Sequence, residues 1–279
     1  MLAEPIIVKE KLDAPVTKVW EALTDKDQMK LWYFDIADFK AEPGFKFQFT
    51  GGDKVKYLHL CKITEVVPYN KLSYTWAYEG QDAETHVHFN LLEEDKYTWV
   101  ELVHEGVDAL SKYGADFARE NFIKGWKHII GTSLKEVVET MMVYSSIEIN
   151  SSPEKVWEIL VDHEKLKHWA TAFSEGTTVE SNWNVGSEVV WKDGEGNTGA
   201  KGVVQEFNPG KKLLLRYYDD VNAAPGTSLC NYSEKYFLDS YNGNSILRIE
   251  AGPIMKKYGM MQQPMWEDAL NKIKNIAEH

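Results

Sequence analysis

The chain has 279 residues, of which 43% are hydrophobic and 27% are charged, and its formal net charge is −12 at pH 7. This length accommodates two ordinary globular domains. Both halves carry more acidic than basic side chains, which argues against nucleic acid and anionic membranes as partners, because both require clustered Lys and Arg. The sequence contains no run of about 18 apolar residues and no signal-peptide core, so it predicts no membrane insertion and a cytoplasmic location.

The first elements of the chain are a strand and two short helices. Residues 6–11 predict the strand, and Pro15 suits the first turn of the helix that follows it. Val16, Val19, Trp20 and Leu23 then recur at helical spacing and form one apolar face. A second short helix is predicted around residues 29–33.

A run of strands and a long helix complete the first half. Residues 45–49 alternate phenylalanine with polar residues, which places three rings on one face of a strand. Further strands are predicted at 57–67, 72–78, 86–91 and 97–103. From near Phe117, apolar residues form one stripe over about 20 residues, which predicts a long amphipathic helix. Segregated strands and helices in this order indicate the α+β class.

The pattern of the first helix returns later in the chain. Residues 153–160 repeat residues 16–23 at an offset of 137, and the same offset relates Asp25 to Asp162 and Trp32 to Trp169. A repeat of this size indicates a duplicated domain. We therefore predict two similar domains, at residues 1–142 and 143–279.

The second half repeats the order of the first. A strand is predicted at 144–149, and Ser152 and Pro153 form a capped helix start. Gly186 opens a strand that runs through Val189 to Trp191, and further strands are predicted at 203–207, 213–218, 230–238 and 245–250. The last helix is predicted to run from Pro264 to the end, with Trp266 corresponding to Trp126.

Specific motifs in both halves carry a family resemblance. They are residues 14–23, Trp32, Pro43-Gly44, 67–72, Tyr74, Trp76 and Gly125-Trp126 in the first half, and Ser152-Pro153, Trp157, Trp169, Val185-Gly186, Pro209-Gly210 and Trp266 in the second. With these motifs the halves resemble tandem START-like (SRPBCC, birch-pollen-allergen-like) domains, of the group named after the activator of the heat-shock protein 90 ATPase.

The resemblance implies a definite architecture. Each domain is expected to be a helix-grip fold, in which a curved antiparallel sheet of about six or seven strands wraps around a long C-terminal helix. Two short helices follow the first strand, and a cavity lies between the sheet and the long helix.

Aromatic side chains supply the candidate binding residues. Aromatic residues make up 13% of the chain, and on the inner face of such a fold they serve either as core or as the wall of an apolar pocket. With two histidines, the candidate ligand-binding residues are Trp32, Phe47, Tyr57, Tyr74, Trp76, His86, His88, Phe122 and Trp126 in the first half, and Trp169, Trp191, Tyr217 and Trp266 in the second.

The two histidines form the most polar motif. His86 and His88 share one face of a predicted strand, and Glu84 precedes them. With His59 or His104 they provide the donor types of a metal site, but a solvated strand face explains the same pattern, and we predict no metal. If they face the cavity instead, they are polar anchors for a ligand.

Three functions fit these observations. We favour non-catalytic binding of a small hydrophobic or amphipathic ligand, with no cofactor and no catalytic residue. The first alternative is a stress-related or co-chaperone-like interaction with a chaperone or another protein. The second is a cyclase-like enzyme, because polyketide cyclases share the superfamily; it would use His86 and His88 with Tyr57.

Overall fold

The computed structural model describes residues 4–52 and 55–279. The chain forms two compact units, one ending at Glu139 and the other beginning at Thr140. The boundary predicted between residues 142 and 143 falls inside the first strand of the second unit, which runs from Thr140 to Ile149.

The first unit is a six-stranded antiparallel sheet with helices packed on one face. The strand order is β1-β6-β5-β4-β3-β2. The elements are β1 (Ile6–Leu12), α1 (Val16–Thr24), α2 (Lys26–Trp32), β2 (Lys46–Gly51), β3 (Tyr57–Val67), β4 (Lys71–Tyr78), β5 (Glu84–Glu94), β6 (Tyr97–Glu105), two 3₁₀ turns (Val107–Tyr113 and Ala115–Phe117), α3 (Arg119–His128), a π-helical segment (Ile129–Leu134) and α4 (Lys135–Val138).

The second unit repeats this plan with a seven-stranded sheet in the order β7-β13-β12-β11-β10-β9-β8. Its elements are β7 (Thr140–Ile149), α5 (Pro153–Val161), α6 (His163–Ala170), β8 (Thr178–Glu180), β9 (Glu188–Lys192), β10 (Thr198–Asn208), β11 (Lys212–Tyr217), β12 (Ser233–Tyr241), β13 (Asn244–Met255) and α7 (Lys256–Glu278). The predicted α+β class and the tandem helix-grip architecture are therefore confirmed.

The repeated aspartates build the same helix junction in both units. Asp25 caps α2 by accepting hydrogen bonds from the backbone N–H groups of residues 27 and 28. Asp162 caps α6 in the same way, through residues 164 and 165. An aspartate at this position satisfies two N–H groups that a helix start leaves unpaired, which explains why the pattern occurs twice.

The long helix of each unit buries one apolar stripe against its sheet. In the first unit the stripe is Trp126, Ile130, Leu134 and Val138, which are each 0–2% exposed. In the second it is Trp266, Ala269, Leu270, Ile273 and Ala277. Trp126 and Trp266 both face inward, as their pairing in the repeat predicts.

The start of the last helix was predicted wrongly. Helix α7 begins at Lys256, and Pro264 lies inside it. Pro264 is exposed, so its ring projects into solvent and the helix continues past it with one backbone N–H missing. The short strand β8 and the two 3₁₀ turns were not predicted, because their residues show no clear apolar period.

A candidate ligand cavity in the first unit

A cavity of about 490 Å³ lies between the sheet and α3 in the first unit. Pockets for small molecules usually have volumes of about 300–1,000 Å³. The lining residues come from β3, β4, the second 3₁₀ turn, α3, the start of the π-helical segment and the loops beside them. They are Phe34, Gly52, Val55, Tyr57, His59, Trp76, Tyr78, Asp116, Phe117, Asn121, Phe122, Gly125, Trp126 and Ile129.

Aromatic side chains of the sheet form one wall of the cavity. The His59 ring stacks on Phe49 at a centroid distance of 4.4 Å and meets Trp76 edge-on at 4.7 Å. Tyr78 packs against the same imidazole at 4.5 Å. Each of these rings is held by neighbours on the strands, so the wall is preformed.

Trp126 lines the cavity beside Trp76, at a ring-centroid distance of 5.4 Å, and a chain of hydrogen bonds fixes it to the sheet. Its indole Nε1–H donates to His104 Nδ1 at 3.0 Å. His104 Nε2 lies 2.8 Å from the Thr85 hydroxyl, which donates to the carbonyl of Trp76. The indole can only donate, so Nδ1 accepts and the proton of His104 lies on Nε2.

His104 is therefore a neutral structural group. It is fully buried, and desolvation lowers its pKa to about 3. Protonation would place an N–H on Nδ1 facing the N–H of Trp126, so the same hydrogen bond opposes the charged form. His104 orients the cavity wall and does not line the cavity.

His59 does line the cavity, and it is also neutral near pH 7. Desolvation lowers its pKa to about 4, and its Nδ1 lies 3.0 Å from the carbonyl oxygen of Tyr57. A carbonyl can only accept, so Nδ1 carries the proton. A neutral imidazole within an aromatic wall suits an apolar or aromatic ligand better than an anion.

The rim of the cavity is polar. The Tyr57 hydroxyl donates to Asp116 Oδ2 at 2.7 Å, and this hydrogen bond is the main reason that the pKa of Tyr57 is raised. Asn121 is exposed and donates its side-chain amide to the carbonyls of Ala115 and Asp116. An apolar interior with a polar rim is typical of a site for an amphipathic molecule.

Four of the predicted binding residues line this cavity: Tyr57, Trp76, Phe122 and Trp126. Three others lie in the surrounding core. Phe47 packs edge-on against Tyr74, whose hydroxyl lies 2.9 Å from that of Tyr33. Trp32 is 4% exposed and donates its indole N–H to the carbonyl of Ala22 at 2.8 Å.

The predicted histidine pair lies on the other face of the sheet. The buried residues of β5 are Thr85, Val87 and Phe89, so the period of two turns His86 and His88 outward. His86 is exposed, and the half-buried His88 lies 2.9 Å from the Ser73 hydroxyl. A role as polar anchors in the cavity, or as partners of Tyr57 in an enzyme, is therefore not supported.

The metal alternative also has no structural support. Within residues 4–52 and 55–279, no three side chains among His, Cys, Asp and Glu come together as metal ligands. His59 and His104 lie on the inner face of the sheet, so they are on the opposite side from His86.

The predicted residues of the second unit have different roles. Trp169 is structural, because its indole N–H donates to the carbonyl of Ile159 at 3.0 Å, which repeats the bond of Trp32 at the same offset. Trp191 donates to the Tyr217 hydroxyl, which in turn donates to Glu234. Trp266 is 2% exposed and packs edge-on against Tyr236.

The sequence did not predict several residues that line the cavity or form polar clusters. Tyr78 and Phe117 line the cavity, and the phase of strand β4 would have identified Tyr78, since it continues the alternation of Tyr74 and Trp76. His59 was considered only as a metal ligand. Glu234 was missed, although it alternates with Tyr232 and Tyr236 on one face of a strand.

A curved antiparallel sheet that closes over a long C-terminal helix, with an aromatic cavity between them, defines a helix-grip protein. The chain belongs to the family of activator of Hsp90 ATPase homolog 1-like proteins, because the model of that family matches residues 13–139 and again residues 150–278. No curated protein matches the chain. Across the part of the chain that the structure describes, no helix is long and apolar enough to span a membrane.

The chain is also similar to several solved structures. DynU16, a protein in the dynemicin biosynthetic locus, is 17% identical, with 99% of each chain covered and a TM-score of 0.41. A Bacillus halodurans protein is 30% identical; the alignment covers 50% of this chain and 100% of that chain, with a TM-score of 0.42. The Aha1 dimer of Colwellia psychrerythraea is 18% identical over 50% of this chain and 96% of that one, with a TM-score of 0.41.

Proposed function

We propose that the first unit binds a small aromatic or amphipathic molecule, without catalysing a reaction, in the cavity between its sheet and α3. The observation that carries this proposal is the cavity of about 490 Å³, whose walls include Trp76 and Trp126. Flat aromatic ligands gain from stacked and edge-on contacts with such rings. The neutral His59 and the rim residues Tyr57 and Asp116 supply a few polar contacts that orient the ligand.

Gly125 offers a way to close the cavity by a single substitution. It lies on α3 and lines the cavity, and a Cβ atom placed there meets no heavy atom within 4 Å. A phenylalanine side chain at this position therefore extends into free space, at little cost to the packed core. Gly125→Ala is the matched control, because it changes the backbone propensity of the helix in the same direction and adds only one carbon.

The test uses the full chain and a panel of aromatic and lipid-like fluorescent probes. We expect at least one probe to bind, to quench or shift tryptophan emission, and to bind about tenfold or more weakly to Gly125→Phe, a loss of about 1.4 kcal/mol. Gly125→Ala should bind as the wild type does. Failure of the whole panel, or equal binding to Gly125→Phe, would refute the proposal.

The chaperone interaction is supported by the description of the family, whereas the cavity favours a small ligand. The two are separable by the same variant. Capture of the host's heat-shock protein 90 by the wild type and equally by Gly125→Phe, with no response to the ligand panel, would favour the interaction.

A further inference from the structure

A glutamate lies on the inner face of the second sheet. In the first unit, Leu72 pairs with Phe89 and Tyr74 pairs with Val87. In the second unit, Leu213 pairs with Tyr236 and Leu215 pairs with Glu234. Leu213 matches Leu72 in the repeat, so Glu234 occupies the position of Val87, which is fully buried. The second unit has thus placed a carboxyl group where the first has an apolar side chain.

Three tyrosine hydroxyls surround this carboxyl group. Tyr217 and Tyr236 donate to Glu234 Oε2 at 2.7 and 3.0 Å, and Tyr232 donates to Oε1 at 3.0 Å. A carboxylate has about four acceptor sites, so one site on Oε1 is left. The phenol oxygens add further acceptors beside it, and the cluster is therefore rich in acceptors.

The part of the chain that the structure describes offers this carboxyl group no balancing basic side chain. Burial raises the pKa of Glu234, the three tyrosine hydrogen bonds oppose that shift, and among the described residues no Lys, Arg or His contributes to it. Glu234 nevertheless keeps accessible surface, as do Tyr232 and Trp191, which are all half-buried. A ligand that reaches this accessible surface can supply the missing positive charge.

A second polar group beside the cluster is also incomplete. Trp266 contacts Tyr236 at a centroid distance of 5.8 Å, and its buried Nε1–H has no hydrogen-bond partner in the described part of the chain. The equivalent Trp126 donates to His104, whose place in the second sheet is taken by Ala251, since Val87 pairs with His104 and Glu234 with Ala251. An oxygen atom of a bound molecule would satisfy this donor.

We propose that Glu234, with the hydroxyl groups of Tyr217, Tyr232 and Tyr236, forms a binding site for the primary ammonium group of a small organic amine. An ammonium group has three N–H donors and no acceptor, which matches a carboxylate surrounded by phenol oxygens. The rings of Trp191 and Tyr217 beside it suit an apolar body on the same molecule. This site is independent of the cavity in the first unit.

The test compares benzylammonium with benzyl alcohol at pH 7, because they have similar shapes and differ in charge. Binding to the full chain is followed through the indole N–H resonances of the tryptophans, assigned by single Trp→Phe variants. We expect benzylammonium to shift the resonances of Trp191 and Trp266, and to bind roughly tenfold or more tightly than the alcohol, since the charged pair is desolvated.

Two variants complete the test. Glu234→Gln removes the charge at nearly constant size, and should bring benzylammonium binding down to that of the alcohol. Glu250→Gln is the control, because this carboxylate pairs with Lys235 on the opposite face of the same sheet. Gly125→Phe should leave benzylammonium binding unchanged, which separates this site from the first cavity.

Three results would overturn the proposal: equal binding of the amine and the alcohol, shifts confined to tryptophans of the first unit, or undiminished amine binding in a folded Glu234→Gln. If Glu234→Gln does not fold, the comparison of the two compounds on the wild type decides the matter by itself.

Discussion

The two units have the same fold, and both place one polar side chain in an equivalent pair of neighbouring strands. The strand that carries it differs between the units. In the first unit Val87 faces His104, and in the second Glu234 faces Ala251. The first arrangement satisfies the indole N–H of Trp126. The second recruits three tyrosines to the carboxyl group and leaves Trp266 without an acceptor among the residues that the structure describes.

This difference shows that the motifs which define the fold leave the interior free to change. The capping aspartates and the indole bonds of Trp32 and Trp169 are repeated atom for atom. They lie at the junction of the two short helices in each unit. Chemistry in the space between the sheet and the long helix has diverged, so each unit is expected to select its own class of ligand.

Placing the carboxyl group of the second unit at the equivalent position of the first should have the largest effect on stability. In Val87→Glu, a carboxyl group enters a fully buried position, where Thr85 already donates its hydroxyl proton to the carbonyl of Trp76. Burial without the tyrosine donors of the second unit should destabilise the first unit by about 3 kcal/mol or more. Urea denaturation followed by resonances of each unit measures this; Val87→Ile is the apolar control, and a loss below about 1 kcal/mol would contradict the comparison.

Acid should affect the two units in opposite directions. The folded pKa values of His104 and His59, about 3 and about 4, lie below the ordinary value of 6.5, so the unfolded chain binds more protons in that window. The contribution of each histidine to the stability of the first unit is fully present above pH 6.5. It decreases by up to ~1.4 kcal/mol per pH unit as the pH falls from 6.5 towards the folded pKa. Glu234 has a raised pKa, so its contribution is present in acid and is lost as the pH rises through that pKa.

The pH comparison is made by urea denaturation of the full chain at pH 7 and pH 5, with resonances that report on each unit. His104→Gln should reduce the slope of the first unit, whereas His128→Gln should not, since His128 is exposed. Parallel loss of stability in both units would show that the interior groups do not control the pH response.

The smallest expected effect is the difference in stability lost when each of the equivalent tryptophans, Trp126 and Trp266, is replaced by phenylalanine. Trp126→Phe removes the donor to His104 Nδ1 and leaves a buried acceptor unsatisfied, whereas Trp266→Phe removes an N–H that has no partner among the described residues. Both variants lose similar apolar contact, so Trp126→Phe should cost about 1 kcal/mol more. Thermal and urea denaturation of the two variants measures the difference, and an equal cost would mean that the hydrogen bond contributes nothing net.

The sequence predicted the fold well because its signals are local. Asp25 and Asp162 mark helix starts, and the offset that joins them also joins Trp32 to Trp169. Period two placed the strands, and the stripe that begins at Phe122 and Trp126 placed the first long helix. Pro264 misled the prediction because proline is typical of the first turn of a helix, whereas here it lies inside α7.

The site was predicted only in part, because it depends on which face of a strand each residue occupies and on which side chains pack against that face. An aromatic residue on the inner face belongs to the core or to a pocket according to what packs above it. Tyr74 is covered by Tyr33, whereas Trp76, two residues later, meets the cavity. The histidines His86 and His88 share a face, as predicted, but the buried Val87 between them fixes that face as the outer one.

The π-helical segment Ile129–Leu134 accounts for the spacing of the buried residues in the first long helix. Trp126, Ile130, Leu134 and Val138 are four residues apart, and in an α-helix each such step overshoots a full turn by about 40°. Hydrogen bonds from i to i+5 wind the chain more slowly and take up part of that drift. The stripe of α7 alternates spacings of three and four and needs no such correction. The direction in which Trp126 points is therefore set partly by the winding of the backbone that follows it, in a segment whose first residue, Ile129, itself lines the cavity.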